Sequence, residues 1–393
     1  MKTVYLDNNA TTCIAPEVRE AMMPFFKEKY GNPSSMHAFG GEIAKYIREA
    51  REKVAAMINA DPAEIIFTSC GTESDNMAIH GCCDLMGPGT KIITSRVEHP
   101  AVLGPCRHQR ETGFSLFEIP VGSEGQLDLH AYRDALRGDG KKLVSIMWAN
   151  NETGVIFPME KIAAMAKEAG AVIHTDAVQI AGKMKIDVQK VPVDMLSISG
   201  HKIHAPKGIG FLYVRRGTRL KTFMIGGHQE NGRRGGTENV PYIVALGKAA
   251  ELISSGIKIE QTEVARLRDK LEQGLLSSCP DTRVNGDTSS RLPNTSNISF
   301  EFVEGEAILY HLSDLGICAS TGSACAAGSL EPSHVIRAMG VPFTAVHGSV
   351  RFSLSRYTTE EEIDYVLREV PPVIRKLRSL SPFSKDSMPP VGM

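Results

Sequence analysis

The chain has 393 residues, of which 42% are hydrophobic and 23% charged, with a formal net charge of −1. That length exceeds one simple core and points to two domains of ordinary globular composition. The near-neutral charge carries no basic footprint for nucleic acid and no acidic solvating tail.

In chain order, the opening MKTVYLDNNATT lacks an apolar signal core, and no apolar run reads as long enough to span a bilayer. Eight cysteines are scattered without a CxxC pair or zinc spacing, so no intrinsic metal site is expected. Free thiols and a cytoplasmic location follow, with no membrane and no nucleic-acid partner. Between about residues 60 and 215, β-rich runs alternate with helical patterns. The runs are Ile65–Thr68, Lys91–Ser95, Leu143–Trp148, Ala171–Thr175, Asp194–Ser199 and Gly210–Val214, and MEKIAAMAKEA (159–169) is an intervening helix. The class is α/β, with a largely parallel sheet covered on both faces. Glu260–Ser278 reads as a charged helix bridging to a smaller α+β domain. That domain holds strands at Ser296–Phe300 and Ser349–Ser353 and helices at Glu304–Leu315 and Thr359–Leu377. The Pro- and Ser-rich end, SLSPFSKDSMPPVGM, is expected to be poorly ordered.

Ligands of open α/β sheets bind beyond the carboxyl ends of the strands. Gly71 and Thr72 follow a strand and open a helix, where amides and a hydroxyl suit a phosphate; the alternative is a plain N-cap by Thr72. Asn150 and Asn151 either grip a ligand hydroxyl or close a turn. Asp176 follows an apolar strand, with Gln179 three residues on, and needs a cation or a capping role. Lys202, between His201 and His204 in a turn after another apolar strand, is either a solvated loop lysine or an amine held for carbonyl chemistry. Together, Lys202, Asp176 and Thr72 supply what pyridoxal phosphate requires: an amine, an acid for the ring nitrogen and a phosphate cup. His99, after another strand, is placed to stack on the ring.

The ordered set YLDNNATT, GNPSSMH, TSCGTESDN, EHPAV, NNETG, HTDAVQ, SGHKIHAPKGIG, GGHQENGRRGGTEN, STGSACAAGSLEPSHV and VRFSLSRYTTEEEID resembles the cysteine desulfurases, class V aminotransferase-like pyridoxal phosphate enzymes of fold type I. The resemblance covers nearly the whole chain. STGSAC matches the long-loop branch, with Thr321 where a second Ser is usual. TSCGTESDN, RRGGTEN and GSLEPSHVIRAMG look more like the nitrogen-fixation type, NifS, than the housekeeping type, IscS. Gly235 stands where Ala or Ser is common.

The resemblance implies a large domain over 15–258 with a mostly parallel mixed sheet. It assigns 1–14 and 259–393 to the small domain. It implies that Lys202 bonds the cofactor as a Schiff base and Asp176 pairs with the ring nitrogen. Gln179 and Asn151 meet the ring hydroxyl, His99 stacks on the ring, and either Lys202 or His99 moves the protons. Gly71, Thr72, Ser199 and His201 hold the phosphate, joined by Thr237 from the second subunit of a homodimer. Arg351, helped by Asn32, binds the substrate carboxylate. Cys325 takes sulfur from L-cysteine as a persulfide, releases L-alanine, and passes the sulfur to an iron–sulfur scaffold of the NifU/IscU kind, meeting scaffold or cluster transiently. The implied service is nitrogenase maturation. The alternatives are general cluster assembly or tRNA thiolation, selenocysteine lyase activity, a same-fold aminotransferase, or a non-catalytic docking protein. The small residues around Cys325 pack little, which suits a moving loop, and Pro332 is expected to open a short anchoring helix. Cys318, Cys82 and Cys83 read as packed cysteines.

Overall fold

The structure, a computed structural model, describes residues 3–321 and 332–382. The strands, in chain order, are β1 (Val4–Tyr5), β2 (Ile65–Thr68), β3 (Lys91–Ser95), β4 (Ser115–Ile119), β5 (Lys142–Ser145), β6 (Val172–Asp176), β7 (Met195–Ser199), β8 (Gly210–Val214), β9 (Thr282–Val284), β10 (Thr295–Phe300), β11 (Ile317–Cys318) and β12 (Ser349–Ser353). A seven-stranded sheet runs in the order β2-β8-β7-β6-β5-β3-β4. Only β8 is antiparallel to its neighbours, so the sheet is mixed but mostly parallel. Strands β2, β5, β7 and β8 are buried at every residue, because helices cover both faces.

All six strands expected in this region form, three with the expected ends and three within three residues of them. β4 has no counterpart among them. It is an edge strand that alternates exposed and part-buried residues up to Ile119, and so lacks the continuous apolar run that marks the others.

The bridging helix begins twenty residues before its expected start. Val240–Ile259 continues through a π turn, Glu260–Val264, into Ala265–Ser278. By length and composition this run is apolar enough to cross a membrane, contrary to the expectation that no such run exists. Here Val240, Ile243, Leu246, Ala249 and Ile253 are buried in the core of the large sheet, against the helix Ile43–Met57. Gly247 permits that approach, since a Cβ there would lie 2.7 Å from the Ala50 Cα.

A separate core joins Val4 and Leu6 to Leu271, Ile298, Phe352 and Ile363. It is built on the antiparallel sheet β12-β10-β9, the parallel pair β1-β11 and the helices Gly305–Asp314 and Glu360–Leu380. The last helix starts in a Thr359/Glu362 capping box and runs through Leu380, past its expected end. The remaining tail expectation, from 383 on, lies outside the described residues. Cys82 and Cys83 are fully packed, whereas Cys318 is a strand residue but only half-buried.

Candidate active site

The parallel strands end along one edge, and their next residues meet there. Lining one cavity of about 310 Å³ are Gly71 and Thr72 after β2, His99 after β3, Asn151 after β5, Asp176 and Gln179 at the end of β6, Ser199, His201 and Lys202 at the end of β7, and Arg351 from β12. Of the expected site residues, Asn32 and Thr237 are exposed and do not line this cavity within one chain; the Asn32 amide oxygen accepts from the Ser34 N–H. Cys325, and with it the expected moving loop, lies outside the described residues. Just beyond it, Pro332 precedes the helix His334–Ala338, but Ser333 is its N-cap and also bonds the buried Glu152.

Local structure resolves several alternatives. The helix Gly71–Met86 is capped by Cys70, whose sulfur accepts from the Glu73 N–H, so Thr72 is not the cap. A Cβ on Gly71 would sit 3.0 Å from Val178 Cγ2, so glycine keeps the helix N-terminus open to the cavity. Asn150 closes its turn, accepting from the Glu152 and Thr153 N–H groups, while Asn151 faces the cavity. Gly154, at φ +78°, completes that turn. His99 caps the helix Pro100–Glu111 through Nδ1.

The charged groups are shifted by burial and by one another. Burial, then Arg351 and Lys183, pull the Lys202 amine down to about 7. Its Nζ donates to the carbonyls of Asn9 at 2.5 Å and Ala10 at 2.7 Å. Burial pushes Asp176 up, opposed by the Val178 N–H on Oδ1 and by Lys202. Burial, then Lys202, bring His99 and His201 to about 4, leaving neutral rings at pH 7. Arg351, 3% exposed, donates to Asp7 Oδ1 at 2.6 Å and the Asn151 carbonyl at 2.9 Å.

Four buried polar atoms around the cavity have no hydrogen-bond partner among the described residues: Asp75 Oδ1, Ser199 Oγ, Gln179 Oε1 and Arg351 Nε. Buried polar groups are rarely left so unless a ligand completes them. A hydroxyl beside a helix N-terminus suits a phosphate, an amide beside Asp176 suits a ring with a hydroxyl and a nitrogen, and a guanidinium suits a carboxylate. The donor set therefore fits pyridoxal phosphate with an amino acid beside it. A neutral lysine, an acid and a neutral histidine can together support proton movement at an amino acid Cα.

The loop Asp7–Ala10 contributes to this site without having been expected to. Asn9 and Ala10 line the cavity, the Asn9 carbonyl accepts from Lys202 and Gln179, and Asp7 pairs with Arg351. Its only local signal is a run of polar residues after a two-residue strand. Asp75 also lines the cavity and was equally unmarked, an acid inside an otherwise ordinary helical pattern.

The aminotransferase class-V family model matches residues 4–366. A cysteine desulfurase of a Nostoc species is 57% identical over 386 residues, spanning 98% of this chain and 96% of its own. The cysteine desulfurase NifS of Azotobacter vinelandii is 54% identical over 384 residues, spanning 98% and 95%. A solved NifS-like protein superposes with a TM-score of 0.90 at 38% identity, covering 96% of this chain and 100% of its own.

Proposed function

The chain belongs to the aminotransferase class-V family, among its pyridoxal phosphate-dependent cysteine desulfurases, and on that premise we propose that it converts L-cysteine to L-alanine and keeps the sulfur as a persulfide on Cys325. The observation that carries this reading is the convergence of Lys202, Asp176, Ser199, His99 and Arg351 on one cavity. The cofactor, when bound, withdraws electrons from the substrate Cα.

In this reading Ser199, Thr72, His201 and the Gly71 end of the helix hold the phosphate. Asp176 faces the ring nitrogen, Gln179 and Asn151 face the ring hydroxyl, and His99 lies on the ring. Arg351 binds the substrate carboxylate with the N–H groups left beyond its bonds to Asp7 and Asn151. Lys202, with its amine near neutrality, holds the cofactor and returns protons to the carbon that becomes the alanine methyl. The Cys325 thiolate attacks the substrate sulfur. The S–S bond forms as the C–S bond breaks, the electron pair goes to carbon, and a proton completes alanine. No external oxidant is needed.

The two-domain division at 15–258 against 1–14 with 259–393 is part of this proposal. The separate core containing Val4 and Leu6 supports it, although Val335, Ile336 and Met339 pack with the large core. We propose further that the sulfur passes to an iron–sulfur scaffold in the cytoplasm for nitrogenase maturation; the 54% identity to the Azotobacter vinelandii cysteine desulfurase NifS favours the nitrogen-fixation type.

The test is product analysis of the purified protein with L-cysteine and a reductant, beside Cys325→Ala. The parent is expected to release sulfide and alanine. The variant is expected to keep the cofactor spectrum and lose sulfide release. An equally active variant, or keto acid instead of alanine, would show a transaminase-like enzyme with an incidental cysteine.

A further inference from the structure

The chemistry above leaves Asp75 unused, although it lies in the same cavity as Asp176. Its side chain is on the first turns of the helix Gly71–Met86, which packs across β6 and β7. Asp75 is 1% exposed, and its Oδ1 has no hydrogen-bond partner among the described residues. The nearest basic group is His174 Nε2 at 3.5 Å. That imidazole is fully buried, bonded at 2.9 Å to Ser145 on one nitrogen and to Ser197 on the other, and burial takes it down to about 3. It is neutral and cannot balance a carboxylate charge.

The sheet places these groups together. His174 and Asp176 are two residues apart on β6 and so share a face. Ser197 is the register partner of Asp176 on β7. Asp176 accepts from Val178 N–H at 2.8 Å through Oδ1, which leaves its second oxygen for further donors. Two carboxylates buried in one site do not both ionise. Lys202 neighbours Asp176 and favours the charge there. At Asp75, burial comes first, then the charges of Asp176, Glu98 and Cys70, all raising it, with only the Ser197 hydroxyl opposing. The proton therefore belongs on Asp75.

We propose that Asp75 is a positioning residue for the cofactor: as a neutral carboxylic acid it donates a hydrogen bond to the Asp176 carboxylate, keeps that carboxylate anionic, and so keeps the shared proton on the ring nitrogen rather than on Asp176. Asp75 acts through Asp176 and touches no reacting atom. The inference rests on the assignment of Asp176 to the ring nitrogen.

The experiment reconstitutes the holoenzyme with pyridoxal phosphate isotope-labelled at its ring nitrogen and reads that nitrogen's magnetic resonance shift. The parent and Asp75→Asn, whose amide still donates, are expected to give the protonated value. Asp75→Ala is expected to move toward the unprotonated value, and Asp176→Asn to move further. If Asp176→Asn moves the signal and a folded Asp75→Ala leaves it at the parent value, Asp75 is structural and the inference is overturned. If Asp176→Asn also leaves it unmoved, the underlying assignment falls and takes the inference with it. Should Asp75→Ala not fold, infrared difference spectra of parent against Asp75→Asn decide. A carboxylic-acid carbonyl band present in the parent and lost in the variant supports the proposal, and its absence from the parent overturns it.

Discussion

Burial and the charges of Arg351 and Lys183 bring the Lys202 amine to about 7 from an ordinary 10.5. A lysine attacks a carbonyl only as the neutral amine. In the cofactor-free chain that form is roughly a tenth of the population one pH unit below 7 and roughly nine-tenths one unit above. Cofactor uptake is therefore expected to rise through pH 7 and level off about a unit above it, as followed by stopped-flow absorbance. Arg351→Gln removes a positive charge that disfavours the ammonium, so the midpoint should move up. A flat profile across that interval would mean that the lysine does not limit uptake. Lys202 and Asp176 were legible in combination because each lies at the end of a buried apolar run, whereas Ser199 entered only through the family resemblance. Asp7 was not, because its partner Arg351 is 344 positions away; nor was the Asn9 carbonyl, 193 positions from Lys202.

Among the elements, the long helix at the junction of the two cores shows where local pattern stops being informative. Glu260–Ser278 has the charged, periodic look of a surface helix, whereas VPYIVALGKAAEL before it is apolar around much of its circumference and was not read as its continuation. Between them the π turn Glu260–Val264 adjusts the register, a recurrent device at functional junctions. Glu260 is 5% exposed there and accepts from Arg356 Nε at 3.2 Å, with the buried Lys183 also favouring its charge. Glu260→Ala leaves two cations without their acid. Removing one partner of such a buried pair costs about 3–5 kcal/mol, to be read as a lower urea midpoint. Glu260→Gln keeps an acceptor and is expected to lose less. Equal stability of the alanine variant and the parent would show that the group is solvated and unimportant.

For the whole molecule, the single chain leaves large apolar side chains in water. Tyr30 is 71%, Met36 103% and Ile225 86% exposed, in segments that also expose Phe26, Phe39 and Phe223. We propose that these side chains meet a second copy of the chain, and Thr237 lies exposed in the loop following Ile225. These observations support the homodimer reading in which Thr237 completes the partner's phosphate cup. Sedimentation is expected to give the mass of two chains, and Thr237→Val to weaken cofactor binding without changing that mass. A single-chain mass at micromolar concentration would refute it.

The amino-acid order by itself determined the α/β class, most of the sheet's strands and the strand-end residues of the site, because apolar runs, helix starts and turn residues are local properties. Only the tertiary structure decided the pairing of Arg351 with Asp7, the carbonyl bonds that hold Lys202 and the placing of Asp75 and Asp176 on one cavity. Each depends on elements distant in sequence being packed so closely that water is excluded and charge has to be matched inside the protein.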